Sequence, residues 1–253
     1  MKYCTFLILL ILSFYSNAQE RIVNIAVAEI PPYSGRNLNS KGMMIEIVSR
    51  ALEMSQIKYR YKYLPFTRLI KSMKSGDVDI APAIWHRNER ESFLMYINRP
   101  VFNVPQILFH KTELVGKIKK SKDLSGNSVA ATRGYVLPPV LDSVKGIKIY
   151  RTNNDEKSLM MVAAGRVKYA IVEKLLGQYL VKKNPALSGI KYTDYALSTE
   201  GEYIAVSKRT KNSHDLVKTL SKNIEILRKS GSLQKIIERH KNFNYRYSLA
   251  YKD

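Results

Sequence analysis

Two stretches of this chain share one design: an amphipathic segment, a glycine, then a short apolar run. In the first, Lys71 to Ser75 leads into Gly76-Asp77-Val78-Asp79-Ile80-Ala81. In the second, Glu156 to Ala164 leads into Gly165-Arg166-Val167-Lys168-Tyr169-Ala170. A glycine just past a helix supplies the left-handed conformation that closes it. The apolar run that follows fits a strand covered on both faces. The two glycines lie 89 residues apart (165 − 76). That recurrence implies two similar α/β lobes, and two lobes enclose a cleft where a small ligand can sit. Units of this kind also occur in single-lobed α/β proteins, so the pattern alone leaves both architectures open.

The N-terminus reads as an export leader. Lys2 gives a positive start, Phe6 to Leu12 an apolar run, and Ser16-Asn17-Ala18 a small-residue cleavage pattern, so residues 1–18 are expected to be a signal peptide. The run is shorter than the roughly 20 residues of a membrane span, which leaves a membrane anchor as the lesser alternative. Cys4, the only cysteine, lies within that leader. The exported chain is therefore expected to have no disulfide and no thiolate chemistry, and to rest on its core alone. The formal charge of +21 becomes +20 once Lys2 is removed. Such a field draws anions and anionic surfaces. The lysines are scattered, however, and no aromatic-basic module accompanies them, so nucleic acid is not expected as a partner.

Along the chain, strands and helices alternate, which predicts an α/β protein with mainly parallel strands. Strands are expected at 21–28, 57–64, 78–83, 104–110, 127–132, 168–172 and 202–207. Helices are expected at 42–54, after Pro65, at 88–95, near 136–144, and at 156–164, 175–183, 213–228 and 232–239. The segment 111–122 reads as a charged connection, and the Tyr-rich tail 242–253 as irregular.

Four blocks then match one family in order and spacing. They are Ile25 to Tyr33 with its Pro-Pro-Tyr turn; SGDVDIAPA with NERE (Ser75 to Glu91); SVAATRGY (Ser128 to Tyr135); and AAGRVKYAIVE (Ala163 to Glu173). With SGSLQKIIERH (Ser230 to His240) they span nearly the whole exported chain. The sequence resembles the bacterial extracellular solute-binding proteins, family 3, the periplasmic amino-acid receptors of ABC transporters. The resemblance implies a two-lobed α/β periplasmic-binding-protein fold with two crossing hinge strands and a central cleft. Lobe one would comprise 19–103 plus 203–253, and lobe two 104–202. Ligand binding would close the lobes about the hinge.

The same resemblance assigns roles. Arg90 matches the arginine that grips the ligand α-carboxylate; a guanidinium forks onto a carboxylate through two charge-assisted bonds. Read without the family, Arg90 would be a surface partner of Glu89 or Glu91. Glu173 matches the acid that receives the ligand ammonium; its other reading is an acid at a helix N-terminus. Thr132, Arg133, Gly134 and Tyr135 form a strand-to-helix turn whose N–H groups favour an anion, or else a structural turn. Trp85 offers an indole for stacking on a flat or cationic ligand, with lobe packing as the alternative. Tyr33 and Phe66 are aromatic candidates of the same kind. Arg68 is within reach of the cleft and Glu29 is expected at its mouth, unless both are solvated surface. Pro82, Ala83 and Trp85 stand where relatives often place hydrogen-bond donors, Ile30 where several place an aromatic, and Lys168 where an acid is common.

The expected function is capture of a small zwitterionic or anionic solute, amino-acid-like, by a monomer that delivers it to a membrane permease or receptor. No cofactor is expected, and the four histidines show no metal-ligand spacing. Two rival readings remain: an exported enzyme of the cyclohexadienyl dehydratase type with Glu173 as general acid, and a sensor that presents its ligand to a membrane receptor.

Overall fold

The computed structural model describes residues 22–114, 118–133 and 135–241. The expected signal peptide and the Tyr-rich tail lie outside the described residues. No helix among the described residues is long and apolar enough to cross a membrane.

The first set of elements runs β1 (Val23–Val27), α1 (Met43–Glu53), β2 (Tyr59–Tyr63), α2 (Phe66–Ser75), β3 (Ile80–Trp85) and β4 (Leu94–Tyr96). The long strand β5 (Phe102–Lys111) leaves it. The second set is β6 (Ser128–Thr132), β7 (Lys148–Thr152), α3 (Asp155–Ala163), β8 (Tyr169–Glu173) and α4 (Lys174–Lys183). The 18-residue strand β9 (Ile190–Ser207) returns to the first set, and α5 (Ser213–Lys229) and α6 (Ser232–Lys241) complete it.

The strands follow the order β2-β1-β3-β9-β5-β8-β6-β7, with β4 beside β9. Within each set the pairs β1/β2, β1/β3, β6/β7 and β6/β8 are parallel. The central pairs β3/β9, β5/β9 and β5/β8 are antiparallel. The sheet is therefore mixed, where the alternation of elements alone predicts mainly parallel strands. The reason is that β5 and β9 run in opposite directions as they pass between the two sets.

Each set carries apolar side chains on both sheet faces. In the first, α1, α5 and α6 pack with Ile25, Ile80 and Val206 on one face, while Leu69 and Met73 of α2 pack with Ala26, Ala81 and Ile84 on the other. In the second, α3 and α4 pack with Phe109, Ala130 and Val172, and Val129, Ile171 and Leu108 face Leu124 and Leu141. This is the two-lobed periplasmic-binding-protein architecture. Gly76 (φ +86°) and Gly165 (φ +70°) stop α2 and α3 in the left-handed conformation, which turns each chain straight into the strand that follows.

Two expected helices take other forms. Asn88 to Arg90 is a single 3-10 turn, and Leu94–Tyr96 pairs with Ser207 to Ala205 as a strand. The segment near 136–144 is reduced to a 3-10 turn at Pro139–Ser143, because Pro138 and Pro139 lack the N–H groups that a continuous helix needs. Strand β7 was not expected, and β9 begins 12 residues earlier (202 − 190) than its predicted start.

Candidate functional site

A cavity of about 110 Å³ opens where the two sets of elements meet. Strand pairing explains why polar groups gather there. In antiparallel strands, directly paired residues point to the same side of the sheet. Trp85 of β3 pairs with Glu202 of β9, Glu202 with Phe102 of β5, and Gln106 of β5 with Glu173 of β8. Phe102 and Gln106 are four residues apart on one strand and so share a face. Trp85, Glu202, Gln106 and Glu173 thus form a band across four strands, and all four line the cavity.

Glu173 ends β8 and caps α4. Its two carboxylate oxygens accept from the backbone N–H groups of Leu175 (3.0 Å) and Leu176 (2.8 Å). Helix α4 can lie flush against β5 because it carries Gly177, where a Cβ would stand 2.1 Å from the Phe109 ring. Burial pushes the Glu173 carboxyl up to about 6, against the lowering effect of the Tyr33 hydroxyl and the two N–H groups. The Tyr33 hydroxyl is close enough to Glu173 for burial and then the carboxylate to raise its own pKa well above 10. Its oxygen is buried beside that carboxylate.

Glu202 is almost fully buried. Its Oε2 accepts from the Trp85 indole Nε1 at 3.0 Å. Burial first, then the charge of Glu173, push its carboxyl up to about 8; the Trp85 bond opposes them, and no cation among the described residues does.

Arg87, just before the turn at Asn88–Arg90, and Arg90 within it bring two guanidinium groups to the cavity. Arg90 is half-buried, donates from Nη1 to the Trp85 carbonyl at 3.1 Å, and lies 5.9 Å from the Phe66 ring centroid. Its other four N–H donors have no partner among the described residues and can serve a guest. Arg87 is more committed: it pairs with Glu200 at 3.0 Å, donates to the His86 carbonyl and stacks 5.4 Å over the Trp85 ring.

Of the residues singled out in the sequence, Tyr33, Phe66, Ala83, Trp85, Arg90, Tyr135 and Glu173 line this one cavity. Thr132 lies behind the wall, where its hydroxyl donates to Asp155 Oδ1 at 2.9 Å. Burial pushes Asp155 up to about 6, offset in part by Thr132 and by the Tyr135 hydroxyl beside it. Arg133 is exposed, and its backbone N–H is taken by Thr152 O. Gly134 lies outside the described residues. Arg68 is exposed on α2 and does not line the cavity. Glu29 is exposed and accepts from Arg36 N at a separate groove, which it shares with Leu38 and Tyr179. Sequence reasoning missed Arg87, Gln106 and Glu202. The acids Glu200 and Glu202 stand two apart, the spacing of one strand face, and that was the available signal. Among the described residues no group of three or more His, Cys, Asp or Glu could hold a metal.

The sequence pattern of one family, the bacterial extracellular solute-binding proteins, family 3, matches residues 23–243. The chain belongs to this family. This family 3 protein is 27% identical over 211 residues to the probable amino-acid-binding protein YxeM of Bacillus subtilis, covering 79% of this chain and 76% of that one. Its fold resembles that of AbpA, an amino acid ABC transporter substrate-binding protein of Streptococcus pneumoniae bound to L-arginine, with TM-score 0.74, 18% identity, and coverage of 91% and 98%. A histidine kinase sensor domain with similarity to periplasmic binding proteins gives TM-score 0.74 at 21% identity, with coverage of 87% and 96%. At these identities the structural likenesses speak for the fold alone.

Proposed function

We propose that this family 3 protein is a periplasmic receptor that captures an amino-acid-type solute for an ABC transporter. In this reading Arg90 forks onto the α-carboxylate and Glu173 receives the α-ammonium. The observation that carries it is that the two groups line one cavity from different sets of elements, Arg90 after β3 and Glu173 at the end of β8. A zwitterion laid between them matches each charge with its opposite in a partly desolvated space, where charge-assisted bonds are strongest. The partial burial and the free donors of Arg90 support this role over a surface ion pair, since no bond joins it to Glu89 or Glu91 among the described residues. Glu173 serves in both of its sequence readings at once, because a helix-capping carboxylate keeps lone pairs for a guest.

YxeM and AbpA are named as binding proteins, and the proposal follows them: capture without turnover. Incubation with prephenate or arogenate is expected to give no product; conversion of either would instead favour the dehydratase reading. Isothermal titration with a panel of amino acids tests the receptor reading directly. Saturable binding by at least one member, weakened in Arg90→Ala by about 2–5 kcal/mol, is the expected result. No binding across the panel would overturn it.

A further inference from the structure

We propose that Glu202, together with the Gln106 amide, forms a second polar subsite on the central-strand wall of the cavity, where it receives a cationic group at the side-chain end of the ligand. The inference rests on the receptor reading above and names the ligand class within it: amino acids with a positively charged side chain.

Two independent observations converge on this wall. Glu202 uses one carboxyl oxygen on Trp85, and its other oxygen accepts nothing among the described residues. Gln106 is buried and lines the cavity, and its side-chain amide makes no hydrogen bond among the described residues. Polar groups withdrawn from bulk water are normally satisfied, so open positions on two neighbouring strands at a single cavity mark where a guest completes the set.

The charge balance selects the guest. Once Arg90 and Glu173 have taken a carboxylate and an ammonium, the second guanidinium on the wall, Arg87, remains paired with Glu200. Glu202 is left without a cation among the described residues, and its carboxyl is raised by burial and by Glu173. A buried carboxyl stays protonated in a dry space unless a cation pairs with it. An acidic side chain would bring a negative charge to a wall that already holds two carboxyls. An apolar side chain would leave the open positions of Glu202 and Gln106 unpaired. A primary ammonium or guanidinium brings both the charge that ionises Glu202 and several N–H donors, for Glu202 Oε1 and for the Gln106 carbonyl oxygen.

Pairing with such a ligand ionises Glu202, so binding releases its proton. The atoms balance simply: the O–H bond breaks, the proton goes to buffer, and the carboxylate keeps the electron pair.

The test is isothermal titration with L-lysine, L-arginine, L-glutamine and L-glutamate, run on the wild type and Glu202→Gln, with Arg90→Ala as a second variant. The wild type is expected to prefer the cationic pair over glutamine by about tenfold or more, and Glu202→Gln to collapse that ratio. Titrations near pH 7 in buffers of different ionisation enthalpy are expected to show about one proton released per cationic ligand bound by the wild type. This second readout needs no variant. Binding of glutamine or glutamate that depends on Arg90, with no cation preference and no proton release, would overturn the Glu202 subsite while sparing the receptor reading. A cation preference that survives Glu202→Gln unchanged would also overturn it. Failure of every amino acid to bind would overturn both.

Discussion

Replacing Glu202 by Gln should make the ligand-free protein more stable at pH 8 than the wild type, and the gap should close toward pH 5. Glutamine keeps the shape of the side chain and an oxygen for the Trp85 indole, and it removes the ionisable group. In the folded chain burial and the neighbouring charge of Glu173 raise the Glu202 carboxyl from its ordinary 4.5 to about 8. A carboxyl raised on folding favours the folded state below its unfolded pKa of 4.5, and that advantage fades as pH rises through 8. Between pH 5 and pH 8 the loss amounts to about 2–4 kcal/mol, because over that window the folded chain holds a proton that the unfolded chain has lost, at roughly 1.4 kcal/mol per pH unit. Glu173 and Asp155, both raised to about 6 chiefly by burial, should contribute a shallower fall in both variants. Urea denaturation at half-unit steps from pH 5 to pH 8.5 measures the difference. The reasoning predicts two stability curves that diverge with rising pH, with Glu202→Gln above. Parallel curves, or a variant less stable at pH 8, would refute it, because Glu202 would then be ionised at little cost in the folded chain.

Three further outcomes follow from local geometry. Gly177→Ala places a methyl group 2.1 Å from the Phe109 ring; it should destabilise by about 1–3 kcal/mol in urea denaturation, and pairing it with Phe109→Leu should recover part of the loss. Glu46 of α1 accepts from Arg50, from Arg239 and from His240 of α6; burial opposes its ionisation, but these bonds outweigh burial and hold its carboxyl at about 2. Glu46→Gln should therefore lose about 1–3 kcal/mol near neutral pH, most of it absent by pH 2, where the wild-type carboxyl also takes up a proton. Glu173→Gln should weaken amino-acid binding more than it weakens the fold, since a glutamine oxygen still caps one N–H of α4; equal losses in titration and in denaturation would assign Glu173 to the helix cap alone.

The residues that could be read from sequence are those whose local pattern matches their role. Gly76 and Gly165 could be placed because a helix stop requires a particular backbone conformation. Arg90 and Glu173 could be expected at the cavity because Glu173 ends an apolar strand and Arg90 follows one by five residues, each in a block that resembles the family's. Gln106 sits inside an apolar run, where one amide reads as an interruption. Glu202 follows Ser198-Thr199-Glu200-Gly201, a polar run with a glycine that resembles a loop. Only pairing with β5 turns that run into strand, and only pairing with Trp85 and Phe102 aims Glu202 into the cavity. The helix expected at 88–95 failed for the same reason: Leu94–Tyr96 pairs with β9, and a long-range ladder outweighs local propensity. Strand β7, Lys148–Thr152, is an edge with mostly exposed side chains, so it lacks the apolar signature by which the other strands were found. At Pro138 and Pro139 the apolar spacing favoured a helix, and the missing N–H groups prevailed.

A crystal structure of the protein with a bound amino acid probes the zwitterion clamp most directly. The account predicts the α-carboxylate forked on the Arg90 guanidinium at about 3 Å and the α-ammonium beside Glu173. An amino acid seated in the cavity with its carboxylate away from Arg90, or bound elsewhere on the chain, would contradict it.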